Sequence, residues 1–171
     1  MKISQEEKKR LEDLYQSFLH DEKILKMKNV PMHRGSNTYE HSFKVAKKAI
    51  RHAIRYYKNV NLETILLGSI LHDYYLYDWR SDRSLLKKHG KNHPFIASKN
   101  AKKDFDISSE VESIINAHMW PLNIKNFPHS KEARIVSICD KAVTSIEAMS
   151  SKKHKENKRD KYLLKIDKLF D

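Results

Sequence analysis

Apolar residues along the chain recur at three- and four-residue intervals and show no useful stretch of strand-like alternation, which predicts helices. Leu11, Leu14, Tyr15, Phe18 and Leu19 form one stripe behind the capping-box pair Ser4 and Glu7, predicting a first helix to about Lys26. After the loop "NVPMHRGSN", Asn37 or Thr38 caps a second helix to about Tyr57, with Val45 and Ala49 on the face of His41. Asn61 caps a third, strongly apolar helix through Leu71. Residues 78–92 read as a polar loop containing Gly90, with Pro94 opening a fourth helix to about Lys103. Ser109 and Glu112 repeat the capping-box spacing before a helix that ends near His118, ahead of Pro121. "NIKNFPHS" is a loop, and Ser130 caps a sixth helix to about Met149.

The expected fold is therefore all-α, a single bundle of about six helices over residues 1–149. A composition shift follows at 150–171, where eight Lys or Arg face four Asp or Glu, a local excess of four positive charges. This basic tail is expected to be a solvated terminus, in which "YLLKIDKLF" can dock as a short helix.

Composition narrows the setting. A chain of 171 residues suits one domain. No apolar run approaches the ~20 residues of a membrane span, so no membrane role is expected. The N-terminal stretch is charged and periodic, without a signal-peptide core. A single cysteine, Cys139, excludes an internal disulfide framework and fits a reducing, cytoplasmic setting. The net charge of +12 suits an anionic partner, but it is dispersed and includes no arginine-rich cluster. A solvated lysine-rich surface accounts for it better than nucleic-acid binding does.

Candidate chemistry appears where histidines and aspartates meet apolar helical faces: His41 in "TYEHSFKVA", His72 and Asp73 in "LLGSILHDYYLYDW", His93 in "HGKNHPFIASKNA", His118 in "IINAHMWPL" and Asp140 in "ARIVSICDKAV". One such residue is ordinarily a hydrogen-bonded core group. Six on neighbouring helices are another matter, because an uncompensated buried carboxylate costs several kcal/mol or more. A divalent cation is a simple solution, and helical periodicity can turn all six side chains into one cavity. Neither a glycine-rich phosphate loop nor a paired-cysteine zinc signature is present.

The order His, His-Asp, His, His, Asp resembles the HD-domain superfamily of metal-dependent phosphohydrolases, in the variant with two extra histidines between the HD pair and the final aspartate. The resemblance covers about residues 33–149. "HRGSNTYEHS", "LHDYYLYDW", "HPFIASKNA", "HMWPLN" and "DKAVTSIE" look like an uncharacterised bacterial subgroup of that superfamily. What the resemblance implies is a binuclear site. His41, His72, Asp73 and Asp140 would hold one ion, and Asp73 would bridge to a second held by His93 and His118. A donor set of imidazoles and carboxylates without thiolate suits transition metals. Family precedent favours iron or manganese, with zinc, nickel or cobalt as alternatives. The implied reaction cleaves a phosphoester or phosphoanhydride of a nucleotide or another small phosphorylated substrate with a metal-bridging hydroxide, which Asp73 would also orient.

Around that set, Arg34, Lys141 and His89 are candidate substrate-binding residues. The first two would hold phosphate, and His89 would donate a proton to the leaving group. Tyr74, Tyr75, Tyr77, Trp79 and Trp120 line either a nucleobase pocket or the core. Two other readings stand beside the enzyme: a metal-containing nucleotide sensor without turnover, and nucleic-acid binding through the basic surface and tail.

Overall fold

The computed structural model describes residues 2–32, 36–81, 83–149 and 166–170. Among these there are seven α-helices and no strand: α1 (Gln5–Leu19), α2 (Glu22–Leu25), α3 (Thr38–Tyr56), α4 (Leu62–Leu71), α5 (Arg83–Phe105), α6 (Ser109–Ala117) and α7 (Lys131–Met149). The all-α expectation holds. None of the described helices is long and apolar enough to cross a membrane.

The first predicted helix is in fact two. Ser4 Oγ accepts from Glu7 N at 3.0 Å and starts α1, which buries Leu11, Tyr15 and Leu19. Asp21 then takes Lys23 N and Ile24 N at 2.8 and 3.0 Å and restarts the chain as α2. A short polar side chain that bonds nearby backbone N–H groups favours such a break, and it outweighs the continuous apolar pattern. A 3-10 turn over Lys26–Asn29 leads into the connection to α3.

α4 is apolar on nearly every side because it is the centre of the bundle. It packs against α1, α3, α5, α6 and α7. Asn61 Oδ1 caps it by accepting from Thr64 N at 3.0 Å. Gly68 lets α6 come close: a Cβ there would stand 2.7 Å from Ile114 Cγ2 and 3.1 Å from Ile114 Cβ. Asn37 caps α3, Ser108 rather than Ser109 caps α6, and Ser130 Oγ receives Ala133 N at the start of α7.

The largest departure from expectation is α5. Much of the stretch predicted as loop, from Arg83 onward, is helical, and both Gly90 and Pro94 lie inside the helix. An internal proline removes one hydrogen bond and usually kinks or breaks a helix. Here tertiary contacts bracket it. His89 stacks on Trp79 and on His93, and Tyr77 Oη lies 2.9 Å from His89 Nδ1. Helices in proteins are held chiefly by such packing rather than by propensity. Asp106, at φ +47°, ends the helix in the left-handed region that Asp tolerates better than most residues.

Of the basic tail, residues 150–165 lie outside the described residues. Residues 166–170 lie against α1 with Ile166 and Leu169 buried. Tyr15 Oη donates to Ile166 O at 2.7 Å, Gln16 Nε2 donates to Asp167 O, and the Glu12 carboxylate accepts from the backbone of Leu169 and Phe170.

Candidate metal centre

Five helices deliver side chains to one buried point. His41 lies in the first turns of α3, and His93 and Asp140 lie within α5 and α7. His72 and His118 are the C-cap residues of α4 and α6, and Asp73 follows in the turn after α4. All six are buried, and their donor atoms form three overlapping triads: His41, His72 and Asp73; His72, His118 and Asp140; Asp73, His93 and His118.

Asp73 sits between two pairs of imidazoles. Its Oδ2 lies 3.3 Å from His72 Nε2 and 4.0 Å from His41 Nε2. Its Oδ1 lies 3.3 Å from His93 Nε2 and 3.8 Å from His118 Nε2. Asp140 Oδ1 is 3.1 Å from His41 Nε2 and 3.7 Å from His72 Nε2. The turn that aims Asp73 is under strain, with Leu76 at φ +54°. Asn100 of α5 clamps it, donating from Nδ2 to Tyr74 O at 3.1 Å and Tyr75 O at 3.2 Å.

The outer faces of the rings decide what the inner faces present. His72 Nδ1 donates to Ser69 O, His93 Nδ1 to His89 O and His118 Nδ1 to Ile115 O, at 2.8, 2.9 and 2.7 Å. A carbonyl accepts only, so each Nδ1 must carry hydrogen and each neutral ring aims an Nε2 lone pair inward. His93 Nε2 and His118 Nε2 then face each other at 2.9 Å, where two lone pairs repel unless a proton or cation lies with them. His72 Nε2 is buried without a hydrogen-bond partner. Converging lone pairs, an orphaned nitrogen and two carboxylates fit a divalent metal. Separations of 2.9–4.0 Å also suit the edges of a coordination shell with bonds of about 2.0–2.2 Å.

The electrostatics divide the cluster. Burial opposes a proton on His41, but the Asp140 and Glu147 carboxylates prevail and hold its pKa up to about 10. Burial likewise opposes charge on His72, and Asp73 raises its pKa above the ordinary value. Asp73 and Asp140 are held well below the usual carboxylate range, against burial, by the surrounding imidazoles. Burial, then His93 and His72, push His118 down to about 3. Such opposed shifts within one cluster are characteristic of functional sites.

The other expected residues are placed as follows. Lys141 turns its Nζ to His118 O at 2.8 Å and Ser137 Oγ at 2.7 Å, and burial lowers its pKa. His89 stacks on His93 beside the cluster. Arg34 lies outside the described residues. Tyr74, Tyr75 and Trp79 are buried in the core. Cys139 is buried too, and burial pushes its thiol up to about 11. The sequence reading missed Asn100 and Glu147. Glu147 accepts from His41 Nδ1 at 2.9 Å, and only its place seven residues beyond Asp140 on one helix hinted at it.

The HD-domain family model matches residues 38–144, well over half of the chain. The chain belongs to the HD-domain family, whose members are generally metal-dependent hydrolases. No curated protein and no solved structure matches the chain.

Proposed function

We propose that the protein is a phosphohydrolase that cleaves a phosphoester or phosphoanhydride of a small phosphorylated substrate, a nucleotide in the first instance, at a binuclear metal centre. His41, His72, Asp73 and Asp140 would hold one ion, and His93, His118 and the second oxygen of Asp73 the other. The mixed imidazole and carboxylate set suits transition metals, and family precedent favours iron or manganese. The observation that carries the reading is the division of Asp73, with Oδ2 toward His41 and His72 and Oδ1 toward His93 and His118.

When bound, divalent ions in such a site lower the pKa of water and neutralise charge developing on a phosphoryl group. The chain's own residues do the rest. Asp73 accepts the water's hydrogen and so orients its lone pair. Burial, then Asp73, raise the Tyr77 pKa, so the phenol keeps its proton and can donate to His89 Nδ1. His89 Nε2 then carries the proton that a leaving oxygen needs. Lys141 fixes the end of α6 and lends positive charge beside Asp140. Arg34, four residues before Thr38 in the sequence, would take a phosphate oxygen pair.

The test is elemental analysis of protein purified without chelators, together with a phosphate-release screen over nucleotides with added manganese or iron. About two transition-metal ions per chain and phosphate release are expected. Metal without release from any phosphorylated compound would favour a sensor. Failure to take up metal under any loading condition would overturn the reading.

A further inference from the structure

Three of the four imidazoles rest their Nδ1 on backbone carbonyls, and His41 does not. Its Nδ1 donates to Glu147 Oε2 at 2.9 Å, and the other oxygen of that carboxylate takes Lys44 Nζ at 2.7 Å. The His41 ring is fully buried, while the side chains of Glu147 and Lys44 retain 12% and 17% exposure. Asp140 and Glu147 stand two turns apart on one face of α7, and His41 and Lys44 one turn apart on α3. The two helices are thus joined by a ladder of alternating groups: Asp140, His41, Glu147, Lys44.

A carboxylate on Nδ1–H makes the opposite nitrogen a stronger donor than a carbonyl does, and fixes the ring's tautomer and tilt. The remaining donors are also unequal. Among the described residues, the His41 and His72 side has an oxygen from each of Asp73 and Asp140 within 4.0 Å, whereas the His93 and His118 side has Asp73 Oδ1 alone within that distance and meets Asp140 only farther out, within 4.8 Å of His118. We infer that Glu147 is a positioning residue that makes the two halves of the centre unequal: the half containing His41 retains its ion, while the half formed by His93 and His118 exchanges its ion with the medium. This inference rests on the binuclear reading above.

The experiment is stepwise metal removal. Protein loaded with cobalt(II) is dialysed against increasing chelator, and metal content and visible absorption are followed together. Wild type is expected to lose cobalt in two separated steps. Glu147→Gln keeps an acceptor for His41 without the charge. It should move the tighter step to ~10–100-fold lower chelator, alter that step's spectrum and leave the looser step in place. Lys44→Met, which leaves Glu147 its full charge for His41, should hold the tighter step at or above its wild-type position. It also gives an independent answer should Glu147→Gln fail to fold. A single-step loss in wild type, or an unmoved tighter step in Glu147→Gln, overturns the inference. So does a Lys44→Met protein that gives up the tighter ion sooner than wild type. Wild type that never takes up cobalt defeats the binuclear reading itself, a result distinct from these.

Discussion

His72 and His93 reach the same cluster from helices of opposite character. α4 is short, capped by Asn61, apolar almost throughout and buried at the centre of the bundle. α5 is long and lysine-rich, exposes Leu86, Phe95 and Ile96, and carries a proline in mid-course. The first helix is held on all sides and ends where the site begins. The second lies at the periphery, chiefly against α6, and relies on ring stacking around His89. A site built this way has a fixed floor and a wall that tolerates change. Substitutions should accordingly do more harm on α4 than on α5.

The sharpest test sets Asp73→Ala against His93→Ala. Asp73 serves both halves of the cluster, so its removal should abolish binding of both ions and lower phosphate release by ~10²–10⁴-fold or more. His93→Ala should lose one ion and keep the other, as metal analysis would reveal. Equal metal loss in the two variants would erase the distinction between floor and wall.

Next comes Gly68→Ala. The new methyl meets three atoms of the buried Ile114 side chain, so α4 and α6 must separate. Overpacking of this kind costs about 1–3 kcal/mol, or roughly 2–4 °C of Tm per kcal/mol in thermal unfolding.

Asn100→Ala removes two hydrogen bonds from the strained turn beside Asp73. A loss of ~1–2 kcal/mol is expected, with weaker metal retention because Asp73 is no longer aimed. Unchanged retention would mean that the turn holds itself.

A pH titration separates the halves of the cluster in chelated protein. His41 has its pKa raised to about 10 from 6.5, so its stabilising contribution is complete below 6.5 and is lost as pH rises through 10. His118, lowered to about 3, contributes in the opposite sense, with stability lost as pH falls from 6.5 toward 3. The Tm of chelated wild type should fall by a few degrees across the alkaline range (~2–4 °C per kcal/mol), and His41→Ala should remove that fall.

The smallest effect is Gly90→Ala. Among the described residues its methyl meets only Leu122 Cδ2, the end of a half-exposed side chain that can turn away. The gain in helix propensity, up to about 1 kcal/mol, should leave the variant neutral or slightly stabilised. The same glycine-to-alanine change is thus predicted to have opposite signs on the two helices.

The same contrast explains what could be read from the chain before its structure. The starts of α3, α4 and α7 were legible because Asn37, Asn61 and Ser130 act locally, within three residues of the groups they cap. The six cluster residues were legible because their order along the chain carries the family pattern. The N-terminal half of α5 was not, because Gly90 and Pro94 signal termination and the contacts that overrule them come from Trp79 and Tyr77. Glu147 and Asn100 escaped for a related reason. The groups they hold lie 106 and about 25 residues away, a relation that local pattern does not encode.

His72 and His118 end their helices at the cluster, and this has an electrostatic consequence that no side chain supplies. Aligned peptide dipoles leave about half a negative charge at a helix C-terminus. α4 and α6 both bring that end to the site, so the backbone itself draws cations there. Neutralising Asp73 and Asp140 together would leave this part of the field intact. Point mutation of acidic groups can weaken the attraction, but removing it would require changing how two helices end.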